Sequence, residues 1–95
     1  MIRVIVNLIG SFKNLIGKER LEITIAKNSR LKTAFEVLHE MSREKIDPFL
    51  SLNNENQERN MIILLNDVEI GLLQGLKTNL HDNDVLTLIP ITHGG

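Results

Sequence analysis

The sequence contains no cysteine. Disulfides, thiolate metal sites and a thiol nucleophile belonging to the chain itself are therefore excluded. No charge of one sign dominates: 11 basic and 12 acidic side chains leave a net charge of −1. Nothing in that balance draws the chain to nucleic acid or to an anionic membrane. Long apolar runs are missing as well. The longest unbroken aliphatic stretch is Met61 to Leu65, far short of the ~20 residues a membrane helix needs. The opening Met1-Ile2-Arg3-Val4 lacks a secretion-signal pattern, and no phosphate loop of the Walker type occurs. What is there is a chain of 95 residues, 42% hydrophobic and 24% charged. We expect one soluble cytoplasmic domain, small for an enzyme because a deep pocket would compete with its core.

Ile2, Val4, Val6 and Leu8 alternate with Arg3, Ile5 and Asn7, the period of a strand. Leu21, Ile23 and Ile25 alternate in the same way. The connection between them holds Gly10, Ser11, Asn14 and Gly17, and is expected to make one helical turn that tucks Phe12 and Leu15 inward. Leu31, Ala34, Phe35, Leu38 and Met41 form a helical stripe. Ser29 is the expected N-cap, Glu36, Glu40, Arg43 and Glu44 the wet side, and Asp47-Pro48 the stop. Phe49-Leu50 is expected to be extended within a polar loop. Met61 to Leu65, apolar throughout, suits a strand covered on both sides. Asn66-Asp67 reads as a tight turn into a short strand, Val68 to Ile70. Leu72, Leu73 and Leu76 anchor a short irregular segment, Asn83 suits a left-handed turn position, and Val85 to Ile91 is the last strand. The first and last strands both read as core elements and are placed side by side. This predicts a two-layer α+β domain, a mixed sheet with one main helix packed across one face, spanning residues 1–91, with 92–95 as a flexible tail.

The ending, Thr92-His93-Gly94-Gly95, has a chemical use. Two residues without Cβ atoms can thread a narrow channel and take up strand-like or left-handed geometry, and the carboxylate after them is unhindered. Such a carboxylate can attack the α-phosphate of ATP to give an acyl-adenylate, which sulfide or an amine can displace. The plainer alternative is a frayed end that happens to be glycine.

The element order, the stretch Ile63-Leu64-Leu65-Asn66-Asp67-Val68-Glu69-Ile70, the later Leu80-His81-Asp82-Asn83-Asp84-Val85 and the closing Pro90-Ile91-Thr92-His93-Gly94-Gly95 resemble the ubiquitin-like β-grasp sulfur carriers. That group includes the small subunit of molybdopterin synthase, the archaeal small modifier proteins and the ubiquitin-related modifier of tRNA thiolation. The resemblance spans the chain and is densest from Ile63 onward. Asn66-Asp67 stands where the family has Asn-Gly, and Asp82-Asn83-Asp84 where it has Asp-Gly-Asp. Thr-His-Gly-Gly is similar to the ending of the ubiquitin-related modifier, whereas Pro90 is more like the molybdopterin-synthase subunit.

The resemblance implies a protein that is a substrate of enzymes. An adenylating enzyme of the ubiquitin-activating type would take Gly95 and the threading residue Gly94 into its ATP site. A rhodanese- or desulfurase-type donor would then make a thiocarboxylate for tRNA thiolation, or the terminus would join lysines of target proteins. ATP belongs to the activating enzyme, and no cofactor or metal is expected on this chain. The alternative is the small subunit of molybdopterin synthase, partnered with the large subunit in molybdenum cofactor biosynthesis. No direct nucleic-acid or membrane contact is expected.

Ile5, Val85 and Ile89 are expected on the sheet face away from the helix, where the family docks its partners; β-propensity on a partly covered face explains the same residues. Pro90 and His93 complete the expected partner-binding set. A β-grasp interaction module that never uses its terminus is the rival of a different class. His39 and His81 lack metal-ligand spacing, and the row Glu36, Glu40, Glu44 reads as a solvated face. Lys13, Lys18, Lys27, Lys32, Lys45 and Lys77 are equivalent as acceptors of a conjugate.

Overall fold

The structure, a computed structural model, describes residues 1–51 and 60–91. The alternating segments become strands and the apolar stripe becomes the main helix. In chain order the elements are β1 (Ile2–Leu8), α1 (Ser11–Ile16), β2 (Arg20–Ile25), α2 (Leu31–Met41), β3 (Met61–Leu65), β4 (Val68–Glu69) and β5 (Asp84–Pro90). Short 3-10 turns occupy Pro48–Ser51, Ile70–Leu72 and Gly75–Lys77. The sheet order is β2-β1-β5-β3-β4. β1 and β5 lie side by side as expected; the structure pairs them in parallel, and the other neighbours are antiparallel.

Period-two burial sets the two faces of the sheet. Val4, Val6, Leu8, Ile23, Ile63, Leu86 and Leu88 point to one side and meet Leu31, Ala34, Phe35 and Leu38 of α2. Phe35 is 0% exposed and stands edge-on to Phe49, with ring centroids 5.7 Å apart and an 82° interplanar angle. Side chains buried this completely contribute about 1.5–3 kcal/mol each.

Several local expectations are corrected. Ser29 does not cap α2. Its hydroxyl donates to the Ala26 carbonyl at 2.7 Å, Arg30 is the N-cap, and the Leu31 N–H donates instead to the Thr78 carbonyl at 2.8 Å. The helix ends at Met41, before Asp47-Pro48. Arg43 and Glu44 adopt positive φ (54° and 64°), and the Glu44 N–H and the Ser42 hydroxyl both donate to the His39 carbonyl. This early reversal leaves Met41 50% exposed and brings Ile46 into the core in its place. In α1 the inward pair is Phe12 and Ile16, one turn apart, while Leu15 is exposed. Phe49 and Leu50 lie in a 3-10 turn, not an extended piece. Ile70 leaves β4 to start another 3-10 turn and fills the core, so Leu72 is 80% exposed and Leu73 is exposed too.

Asn66 and Asp67 both take positive φ (50° and 69°), as does Asn83 (69°). Residues that tolerate the left-handed region thus replace glycine at both turns. Asn66 also ties the β3–β4 turn to β5. Its side-chain oxygen accepts from the Val85 N–H at 2.9 Å and its amide donates to Asp84 at 3.0 Å. Asp84 accepts in turn from the His81 N–H at 2.8 Å. Asn66→Ala loses both side-chain bonds and puts a Cβ-branchless but unaided residue at positive φ. A loss of about 2–3 kcal/mol is expected in urea unfolding, with Asn66→Gly recovering about 1 kcal/mol of it. Equal effects of the two substitutions would remove the backbone part of this account.

Candidate functional site

The site is built around β5, the central strand, which carries the chain from the sheet toward its diglycine ending. Leu86 and Leu88 face α2, so Val85, Thr87 and Ile89 face the other way. Register then decides their company, because residues paired across neighbouring strands share a face. Ile5 of β1 lies opposite Val85. Ile62 and Leu64 of β3 lie opposite Ile89 and Thr87. The three predicted residues Ile5, Val85 and Ile89 are therefore brought onto one open face, joined by Ile62 and Leu64.

Ile62 and Leu64 were not legible as surface residues, because an all-apolar strand carries no alternation to say which side is open. The expectation that β3 is covered on both sides is corrected: Ile62 is 37% exposed. Ile5 is only 8% exposed, since it sits between Glu22 of β2 and Val85 of β5. The patch has a charged rim. Arg3 and Glu22 pair at 3.7 Å on the β2 side, and Glu69 lies opposite Leu64 on the β4 side. An apolar centre within a polar rim is the anatomy of a protein-binding surface.

Pro90 does not belong to that face. It pairs with Met61, whose side chain is buried on the helix side, and it closes the end of β5. Gly10, at φ 57° ahead of α1, faces the Pro90 ring, and a Cβ there would make ordinary contact with it at 3.4 Å. On the far side the Ile91 N–H donates to the Asn60 carbonyl at 3.1 Å. The chain thus leaves the sheet at a held point beside the open face. His93, Gly94 and Gly95 lie outside the described residues. Among the described residues no cluster of three or more His, Asp or Glu could hold a metal ion, and no helix is long and apolar enough to cross a membrane.

Comparison with known proteins decides the family. The family model described as Urm1 (Ubiquitin related modifier) matches residues 3–95. The chain belongs to the ubiquitin related modifier family. The fold is the ubiquitin-like β-grasp. SAMP1 from Haloferax volcanii superposes with a TM-score of 0.75 at 14% identity, covering 98% of this chain and 99% of that one. Urm1 from Sulfolobus solfataricus is 27% identical, with a TM-score of 0.58 over 92% of this chain and 99% of that one. A chain of the BexX/CysO complex from Amycolatopsis orientalis is 22% identical, with a TM-score of 0.66 over 97% of this chain and 99% of its own length. No curated protein matches the chain in a sequence search. As a member of this family the chain is a ubiquitin-like sulfur carrier or modifier.

Proposed function

We propose that this family member acts through the carboxylate of Gly95, as the substrate of an adenylating enzyme. One carboxylate oxygen attacks the α-phosphorus of ATP in the enzyme's site and pyrophosphate leaves. The outer sulfur of a donor protein's persulfide then displaces AMP to give an acyl disulfide, and a thiol reductant cleaves its S–S bond to leave a thiocarboxylate for tRNA thiolation, or a lysine amine displaces AMP to form an isopeptide. Gly94 lets the tail enter the channel. The observation that carries this reading is the path of β5: the strand runs past an apolar, charge-rimmed face and ends at Pro90, with three residues between it and Gly94-Gly95 in the sequence. An enzyme docked on Ile5, Ile62, Leu64, Val85 and Ile89 would lie beside the point where the chain leaves β5.

The absence of cysteine makes the test specific. A thiol-alkylating reagent has no side-chain thiol to label, so alkylation of the protein recovered from its own cells reports a thiocarboxylate alone. Intact mass and peptide mapping are expected to place the label on Gly95, or Gly95 on a lysine of another protein. An unlabelled, unconjugated terminus under reducing recovery would overturn the proposal and favour a binding module.

The docking face has its own prediction. Ile62→Glu is expected to slow adenylation about tenfold or more, because a charge in the middle of an apolar contact leaves a desolvated carboxylate unpaired. Its stability should change by less than about 1 kcal/mol, since the residue is exposed. Pyrophosphate release with the purified activating enzyme measures the first quantity and urea unfolding the second. Unchanged release would move the docking surface elsewhere.

A further inference from the structure

Two stretches of sequence without acidic residues meet at one end of the molecule. Residues 23–35 and 70–81 contain no Asp or Glu, yet they carry Lys27, Arg30, Lys32 and Lys77. The fold joins them where β2 passes into α2. The Leu80 N–H donates to the Ser29 carbonyl at 3.0 Å, the Leu31 N–H to the Thr78 carbonyl, and Arg30 bridges to Asn79. Beside this seam lies a concavity of about 560 Å³, lined by Asn28, Arg30, Lys32, Thr33 and Lys77, with Leu76 as its apolar wall. Among the described residues, none of the four cations is held in an ion pair.

This arrangement works against the helix it surrounds. α2 has no acid in its first turn. Arg30 and Lys32 stand at the end where the helix dipole is positive, and cations there disfavour the helix. Local rules of this kind are broken most often at functional sites.

We propose that the concavity binds an oligophosphate anion, a diphosphate group free or carried on a small molecule. Its donor inventory sets the class. Arg30 offers five N–H donors in a fork, Lys32 and Lys77 three each, and Thr33 and Asn28 a hydroxyl and an amide. The Ser29 hydroxyl is already committed to Ala26. One carboxylate, with about four lone-pair sites, cannot use this set, whereas a diphosphate brings several oxygens and enough charge for three cations. The volume suits a small ligand. A nucleic-acid strand needs a longer basic track, and here Glu22, Glu36, Glu69 and Asp82 bound the two stretches in sequence. The site involves neither Gly95 nor the open sheet face, so it stands or falls independently of the proposed carrier chemistry.

The test is a titration of the full-length, 15N-labelled protein with inorganic pyrophosphate at constant ionic strength, and in parallel with ADP. Saturable amide shifts are expected at residues 28–33 and 77–78, and the tighter of the two ligands identifies the free or the carried diphosphate. The double variant Arg30→Gln/Lys77→Gln should weaken binding by about a hundredfold or more, since each lost charge-assisted contact is worth about tenfold or more. Arg43→Gln/Lys45→Gln, beyond the other end of α2, should leave it unchanged. Shifts that rise without saturating, that spread equally to Lys13, Lys18 and Lys45, or that persist in the double variant would overturn the proposal and show adventitious ion pairing only.

Discussion

Deleting Gly95 is expected to reduce adenylation at least about a hundredfold while leaving the unfolding curve in place. The shortened chain still ends in a carboxylate, now on Gly94, so the loss is one of position. An extended residue spans about 3.3–3.6 Å, and an error of about 1 Å in the placement of a reacting group already costs about a hundredfold. The point where the chain leaves the sheet is fixed by the pairing of Pro90 with Met61 and by the Ile91–Asn60 bond. Appending an alanine after Gly95 displaces the carboxylate by the same length in the other direction and adds a Cβ to an ending that has none. Neither change touches β1–β5 or α2, so urea unfolding should match the parent chain. Turnover of the deletion within threefold of the parent, measured as pyrophosphate release with the activating enzyme, would mean that Gly95 is not the reacting residue.

The largest effect on stability is expected at Phe35. Its ring is fully buried between α2 and the sheet and meets Phe49 edge-on. Truncation to alanine costs the transfer term and leaves a cavity, together about 3–5 kcal/mol, with the lost ring contact adding up to about 1 kcal/mol. A domain of this size has roughly 5–14 kcal/mol to lose, and each kcal/mol lowers the melting temperature by roughly 4–8 °C. Phe35→Ala should therefore melt about 15 °C or more below the parent chain. Phe12→Ala, only half-buried against the core, should cost clearly less. Equal losses at the two positions would mean that the core is not centred on α2.

These two residues also show what a sequence can reveal. Phe35 was legible because the helical period places it with Leu31, Ala34 and Leu38, and each of the four is buried. Ile5, Val85 and Ile89 were legible because period two assigns each strand residue a face. Position along the chain does not say which strands are neighbours, however, and Ile62 enters the patch only through the pairing of β3 with β5. The cap of α2 was missed for the same reason: serine is a good local guess, but the carbonyl that satisfies Leu31 comes from Thr78, far away in the chain. Leucine at 72 and 73 reads as core by composition. Ile70 takes that place first, and the turn after it points Leu72 outward. The diglycine ending was read from chemistry alone, and Gly94 and Gly95 lie outside the described residues.

The parallel pairing of β1 with β5 has a consequence for biosynthesis. β5 is the middle of the sheet, and it is the last of the described elements in chain order. Until the ribosome has passed Pro90, β1 lacks its inner neighbour and β3 its main partner, and contacts this distant in sequence form late and slowly. A nascent or prematurely terminated chain therefore has no assembled docking face, because Val85 and Ile89 are part of that face. The strand that leads to the diglycine end is also the strand that completes the domain, so misfolded or truncated products offer an activating enzyme nothing to grip.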